Sequence, residues 1–224
     1  MSHLKLLTNL ILLLAFLSFT ACFDNKSEVK EIKTILLEGE PSDEHATLSQ
    51  KYFEEGEFKK ALEEDKKQLK EDLKYYKEKS PEIALDYNNI GLDYDELKEY
   101  TKAIEYYQKS MKIDKMTLDE NSTERATTYY NFASSNSNLG NYKIALEYYF
   151  KALNIDKIGL GEFSQEVIGE YEDIAKVYEK SGKTDLAIKY YQTIVDILSD
   201  GSNGQNERLK RAKAKIEALK KKTK

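Results

Sequence analysis

Apolar side chains recur along this chain on two scales: three and four residues apart within a segment, and 42 residues apart between segments. Tyr87, Ile90, Gly91 and Tyr94 make one stripe, Tyr129, Phe132, Ala133 and Asn136 the next, and Tyr171, Ile174, Ala175 and Tyr178 a third. Spacings of three, four and seven put each set on one face of an α-helix. A second stripe follows each of these: Tyr100, Ala103, Ile104 and Tyr107, then Tyr142, Ala145, Leu146 and Tyr149, then Ala187, Ile188 and Tyr191. Ala61 extends the alanine series one period toward the N-terminus, with Phe58 and Leu62 beside it. The pattern predicts helix, turn, helix, repeated. A self-similar period of this length marks supersecondary units stacked on one another rather than one closed core.

The residues between the stripes punctuate the same units. Ser80-Pro81-Glu82 opens one: the serine can cap, the proline suits the first turn, and the glutamate favours the positive end of the dipole. Ser122-Thr123-Glu124 and Ser164-Gln165-Glu166 repeat that signal. Gly140 and Gly182 mark tight turns, and Lys115–Ser122 and Lys157–Ser164 are the connectors between units. Units so delimited span residues 80–121, 122–163 and 164–200. A degenerate first unit over 42–79 carries Asp65 where the later ones carry Tyr107, Tyr149 and Tyr191. Leu209, Ala212, Ile216 and Leu219 give residues 204–224 an apolar stripe able to cover the last pair. Asn136, in a stripe position held elsewhere by Tyr94 and Tyr178, is expected to bring an amide near the core in need of a partner. The expected fold is all-α, an α-solenoid of about four helix hairpins closed by a C-terminal capping helix.

Tyr129-Tyr130-Asn131-Phe132-Ala133 and Leu139-Gly140-Asn141-Tyr142-Lys143-Ile144-Ala145-Leu146, with Leu160-Gly161-Glu162 in the connector, resemble the tetratricopeptide repeat in its long, kinesin-light-chain-like form. The resemblance covers Asp43 to Leu198. It implies that the first helices of successive units line a concave groove holding an extended or helical peptide. On this sequence the family's paired-asparagine motif falls on Asn89 and Asn131, and on Asp173 in the third unit. An amide there can donate to and accept from a peptide backbone at once. Asn88 and Tyr130 stand beside these positions, and Leu92, Ser134 and Lys176 lie one turn further on. The alternative is structural, with Asn89 and Asn131 bonding across to the adjacent helix.

The N-terminus adds a location. Lys5 precedes an almost wholly apolar run from Leu6 to Phe19, which ends in small residues before Cys22. Residues 1–21 therefore read as an export signal, too short for a stable membrane span. Phe19-Thr20-Ala21-Cys22 resembles the lipobox of bacterial lipoproteins, in which the cysteine is diacylated on sulfur, the signal is cut before it and the new amine is acylated. Cys22 is the only cysteine, so an internal disulfide does not explain it. Residues 22–41 are then a tether. The expectation is a lipid-anchored protein on the periplasmic face of the outer membrane, or on the cell exterior of a single-membrane bacterium.

Charge and chemistry narrow the function. The chain carries a formal net charge of −5, unevenly spread: residues 205–224 hold nine Lys and Arg against Glu207 and Glu217, and residues 22–204 carry −13. An acidic body argues against nucleic acid as a partner. The basic terminal helix is either a solvated cap complementing its own dipole or a contact with anionic headgroups. His3 and His45 are the two histidines, and no nucleophile, base and orienter can be assembled from the remaining set. No catalytic residue, metal or cofactor is expected. These features point to a non-catalytic adaptor that binds a protein or peptide partner of the envelope. A self-associating structural lipoprotein, a homo-oligomer, is the alternative, and a carboxylate-dependent hydrolase a third.

Overall fold

A computed structural model describes residues 42–199 and 206–222. The leader over 1–21, Cys22 and the tether over 22–41 lie outside the described residues. Glu44–Lys224 forms one compact unit; of the other, Met1–Asp43, only Ser42 and Asp43 are described. Nine helices occur among the described residues of the larger unit. They are α1 (Glu44–Glu54), α2 (Phe58–Tyr75), α3 (Pro81–Glu96), α4 (Tyr100–Thr117), α5 (Thr123–Asn138), α6 (Tyr142–Gly159), α7 (Gln165–Lys180), α8 (Thr184–Leu198) and α9 (Asn206–Lys222). Each packs on its neighbours in the chain, so the fold is all-α, a solenoid of four hairpins with α9 behind the last. No helix among the described residues is long and apolar enough to cross a membrane.

Local chemistry sets the helix ends. Ser80, Ser122 and Ser164 accept hydrogen bonds from the backbone N–H groups of Ile83 (3.4 Å), Arg125 (3.3 Å) and Val167 (3.2 Å), satisfying a donor that the first turn leaves unpaired. The connectors are shorter than the sequence suggests. Leu118 N–H bonds to the Asp114 carbonyl at 3.0 Å and Leu160 N–H to that of Asp156 at 2.8 Å, so α4 and α6 run on to Thr117 and Gly159. Lys115 and Lys157 thus sit inside last turns, where a cation complements the negative end of the dipole.

The repeating stripes become the core. Ala61, Ala103, Ala145 and Ala187 are all fully buried, as are Ile90 and Ile174, with Phe132 nearly so. Tyr107, Tyr149 and Tyr191 fill the space between the helices of their hairpins and are likewise buried. The register does not stop at α8. Ala212, Ile216 and Leu219 stand one period after Glu170, Ile174 and Val177, and all three are buried, so the capping helix packs as a further first helix. Asn136 finds its partners locally: Nδ2 donates to the Phe132 carbonyl at 2.8 Å and Oδ1 accepts from Asn141 Nδ2 at 3.2 Å.

One turn position departs from its counterparts. Gly56, Gly140 and Gly182 adopt φ of 75°, 83° and 75° between the helices of their hairpins, and Lys98 adopts 61° at the same register. A residue with a Cβ meets its own backbone there, at a cost of about 1–2 kcal/mol. Lys98→Gly is therefore expected to raise stability by about 0.5–1 kcal/mol, or ~2 °C in Tm. An unchanged or lower melting temperature would contradict that expectation. Ala145→Glu places a charge where α5 and α6 meet and should abolish cooperative unfolding followed by circular dichroism. A melt like that of the parent would show the register to be misassigned.

Candidate functional site

Because each hairpin packs on the next, the first helices α1, α3, α5, α7 and α9 succeed one another, and each gap between them is floored by the intervening second helix. Cavities lie in these gaps. The α1/α3 cavity, about 300 Å³, is lined by Ser49, Phe53, Asp65, Asn89, Leu92 and Asp93 among others. In the α3/α5 gap a cavity of about 390 Å³ includes Leu85, Asn88, Asp114, Glu124, Thr127 and Thr128. The α5/α7 cavity, about 230 Å³, is lined by Thr127, Tyr130, Asp156, Glu166, Gly169 and Glu170. Between α7 and α9 a cavity of about 420 Å³ has Glu172, Glu179 and the basic residues Arg208, Arg211 and Lys215 in its walls.

The residues singled out from sequence are distributed over these gaps rather than gathered at one point. Asn89 and Leu92 line the first, Asn88 the second and Tyr130 the third. Asn131 Nδ2 donates to Asn88 Oδ1 at 3.2 Å, tying α5 to α3, so part of its capacity is engaged within the protein. Tyr130 donates to Asp173 Oδ2 at 2.5 Å, and the other Asp173 oxygen accepts from Lys176 at 2.9 Å. Lys176 also pairs with Glu172 at 3.5 Å, and Glu172 with Arg208 at 3.5 Å, extending the chain of charges to α9. Ser134 is half-buried and hydrogen-bonds to Tyr149. Asn89 is half-buried too, and makes no side-chain hydrogen bond within the described residues, so its amide faces the α1/α3 cavity uncommitted.

Buried acids are a component of these gaps that helical periodicity alone does not reveal. Asp93 is 0 % exposed, and among the described residues neither of its oxygens finds a conventional donor. Its neighbour across the α2/α3 interface is Asp65, itself beside Ser49, and the two carboxyls form a hydrogen bond only by sharing a proton. Burial first, then the charge of Asp65, holds Asp93 far above the usual carboxylate range. Asp86 is raised in the same way by burial and by Asp72. Burial, followed by the charges of Asp156 and Asp173, lifts Glu170 to about 8, while burial and Glu166 lift Asp156 to about 6. The signal lay in the register: Asp72, Asp114 and Asp156 stand one period apart, and so do Asp86, Thr128 and Glu170. Among the described residues no group of three or more His, Cys, Asp or Glu is placed to hold a metal ion.

Stacked helix hairpins with a row of gaps between their first helices define a repeat solenoid, a class of protein-interaction scaffold. The tetratricopeptide repeat family matches residues 48–116, 87–158 and 171–197, together more than half of the chain, and the chain belongs to that family. Solved structures agree at the level of the fold. BtubC (BKLC) from P. vanneervenii is similar with a TM-score of 0.70 and 24% identity, over 79% of this chain and 70% of that one. The nearly identical repeats of a Podosopora anserina protein described as a kinesin light chain, in a variant form, give 0.70 and 15%, over 78% and 82%. A second structure of those repeats gives 0.65 and 16%, over 80% of this chain and 95% of the other. No curated protein matches the chain in sequence.

The buried acids set a pH dependence with a definite sign. Their folded-state values lie above the unfolded range of about 4, so below pH ~4 they are protonated in both states and cost nothing. As pH rises, the unfolded chain ionises freely while the folded one resists, and stability is lost progressively until the folded values near 6 and 8 of Asp156 and Glu170 are passed. Tm is expected to be higher at pH 5 than at pH 9 by at least ~5 °C, with Asp93→Asn and Glu170→Gln each reducing the difference. A flat profile, or one rising with pH, would contradict the assignment.

Proposed function

We propose that this protein is a non-catalytic scaffold that holds a segment of a partner protein along the gaps between its first helices, and that a lipid on Cys22 ties it to the bacterial envelope. One observation carries the first part. All six residues lining the α5/α7 cavity stand one period after residues lining the α3/α5 cavity: Leu85 and Thr127, Asn88 and Tyr130, Asp114 and Asp156, Glu124 and Glu166, Thr127 and Gly169, Thr128 and Glu170. An enzyme concentrates its chemistry in one assembled site. A site repeated along an array suits a chain that presents side chains at intervals. Leu85, 59 % exposed, gives the α3/α5 gap an apolar contact, and Asn89 offers an uncommitted amide one gap away. The apolar leader and the lone cysteine after small residues support the anchor, and with it a place outside the cytoplasm.

A photo-crosslinking residue placed at Leu85 in intact cells should yield one discrete protein adduct, whereas the same residue at Lys151 on α6 should yield none. Equal adducts from both positions, or none from Leu85, would overturn the groove. Cys22→Ser should remove labelling by an alkyne fatty acid and leave the leader of residues 1–21 attached, read by mass spectrometry as a heavier chain. A parent protein that takes no label, or a variant that still does, would overturn the anchor while leaving the groove untouched.

A further inference from the structure

The α5/α7 cavity copies the α3/α5 cavity position by position, yet the surroundings of its floor carboxylate are reversed. Asp114 in the earlier cavity has three favourable neighbours: Thr128 donates to it at 2.9 Å, Ser110 at 3.4 Å, and the Arg125 guanidinium lies close enough to stabilise its charge. One period on, the positions of Ser110, Arg125 and Thr128 hold Ala152, Val167 and Glu170. Asp156 thus loses two donors and a cation and meets a second carboxyl. Among the described residues, Asp156 Oδ1 and both Glu170 oxygens have no hydrogen-bond partner, although Glu170 is 2 % exposed and Asp156 9 %. Glu166 adds a third, exposed acid to the same wall.

Room for a ligand comes from the sequence as well. Gly169 stands where the two earlier units carry Leu85 and Thr127, and a Cβ built on it meets nothing closer than Arg208 Nη2 at 3.9 Å. That guanidinium is engaged elsewhere, by the Gln165 carbonyl at 3.3 Å and Glu172 at 3.5 Å. A cavity of about 230 Å³ is several times the ~30 Å³ share of one water molecule.

On the reading that these gaps hold a partner segment, we infer that the α5/α7 cavity takes a lysine or arginine side chain of that segment, whose charge and N–H donors supply Asp156 and Glu170 with what Arg125, Ser110 and Thr128 supply to Asp114. Two buried carboxyls without donors favour a cation over a neutral side chain, because filling the cavity with an apolar group leaves them desolvated and unpaired. The net −13 of residues 22–204 draws a basic segment toward the array before it docks.

The test pans a random-peptide phage library against the full chain in detergent, then measures the affinity of the selected peptides. The selected sequences should share a Lys or Arg at one position. Replacing that residue by norleucine should weaken binding roughly tenfold or more, and Glu170→Gln should do the same in the protein, with the two changes together costing no more than either alone. The double variant Ala152→Ser, Glu170→Thr installs the donors of the preceding cavity and should abolish the basic preference while other peptide contacts persist. Circular dichroism verifies folding, which Glu170→Gln should strengthen because the unfolded chain no longer gains by ionising this side chain. Peptides that bind without a shared basic position, or whose basic preference survives the double variant, would overturn the inference and leave the groove reading standing. Failure to select any peptide would overturn both. Self-association of the peptide-free protein that Glu170→Gln abolishes would also overturn it, by making a second copy the source of the cation.

Discussion

Everything in this array depends on the contact between one helix hairpin and the next. No hairpin here can bury both faces alone: α5 uses Phe132 and Ala133 toward α6 while Thr128 and Ser135 face the preceding unit. The alanines at 61, 103, 145 and 187 are small and fully buried, letting the second helices come close, and the large tyrosines at 107, 149 and 191 fill what remains. Stability in such a stack is a sum of local units and nearest-neighbour interfaces. The same geometry that buries the apolar stripes sets the first helices side by side, so the spacing of the gaps follows from the packing of the core.

That arrangement also explains why the polar interior is tolerated. At the α4/α5 interface Asp114 is satisfied by hydroxyls and a nearby guanidinium, which makes it part of the fold. At the flanking interfaces the equivalent pairs are Asp72 with Asp86 and Asp156 with Glu170, and among the described residues Asp86 Oδ2, Asp156 Oδ1 and both Glu170 oxygens find no donor. A buried carboxyl lacking a donor weakens a structure unless it is protonated or paired. An array that keeps several of them gives up some stability at those interfaces. The tetratricopeptide repeat supplies the scaffold, and these departures from its internal symmetry distinguish one gap from another.

Much of this was legible in the sequence because periodicity, caps and turns are local signals. The serines at 80, 122 and 164 cap the helices the pattern assigns them, and the continuation of the 42-residue register into Ala212, Ile216 and Leu219 makes α9 a further first helix. Helix ends were less legible: the sequence has no breaker at Lys115 or Lys157, so α4 and α6 run on into the expected connectors, to Thr117 and Gly159. The site was legible only in outline. Asn131 is tied to Asn88, and Tyr130 to Asp173, through pairings that join residues 43 apart and depend on how two hairpins dock. Asp93 and Glu170 look like surface acids when only their own helix is read. Their burial arises from a neighbour one unit earlier, which no single-helix pattern contains.

The central claim is that a partner segment lies along the first helices, crossing one gap after another. It is tested most directly by moving a spin label residue by residue along a bound peptide and recording which backbone amide signals of the protein are quenched. The account predicts that the quenched set moves in order through α1, α3, α5 and α7 as the label moves along the peptide. Quenching confined to α2, α4 and α6, or centred on one spot whatever the label position, would contradict it.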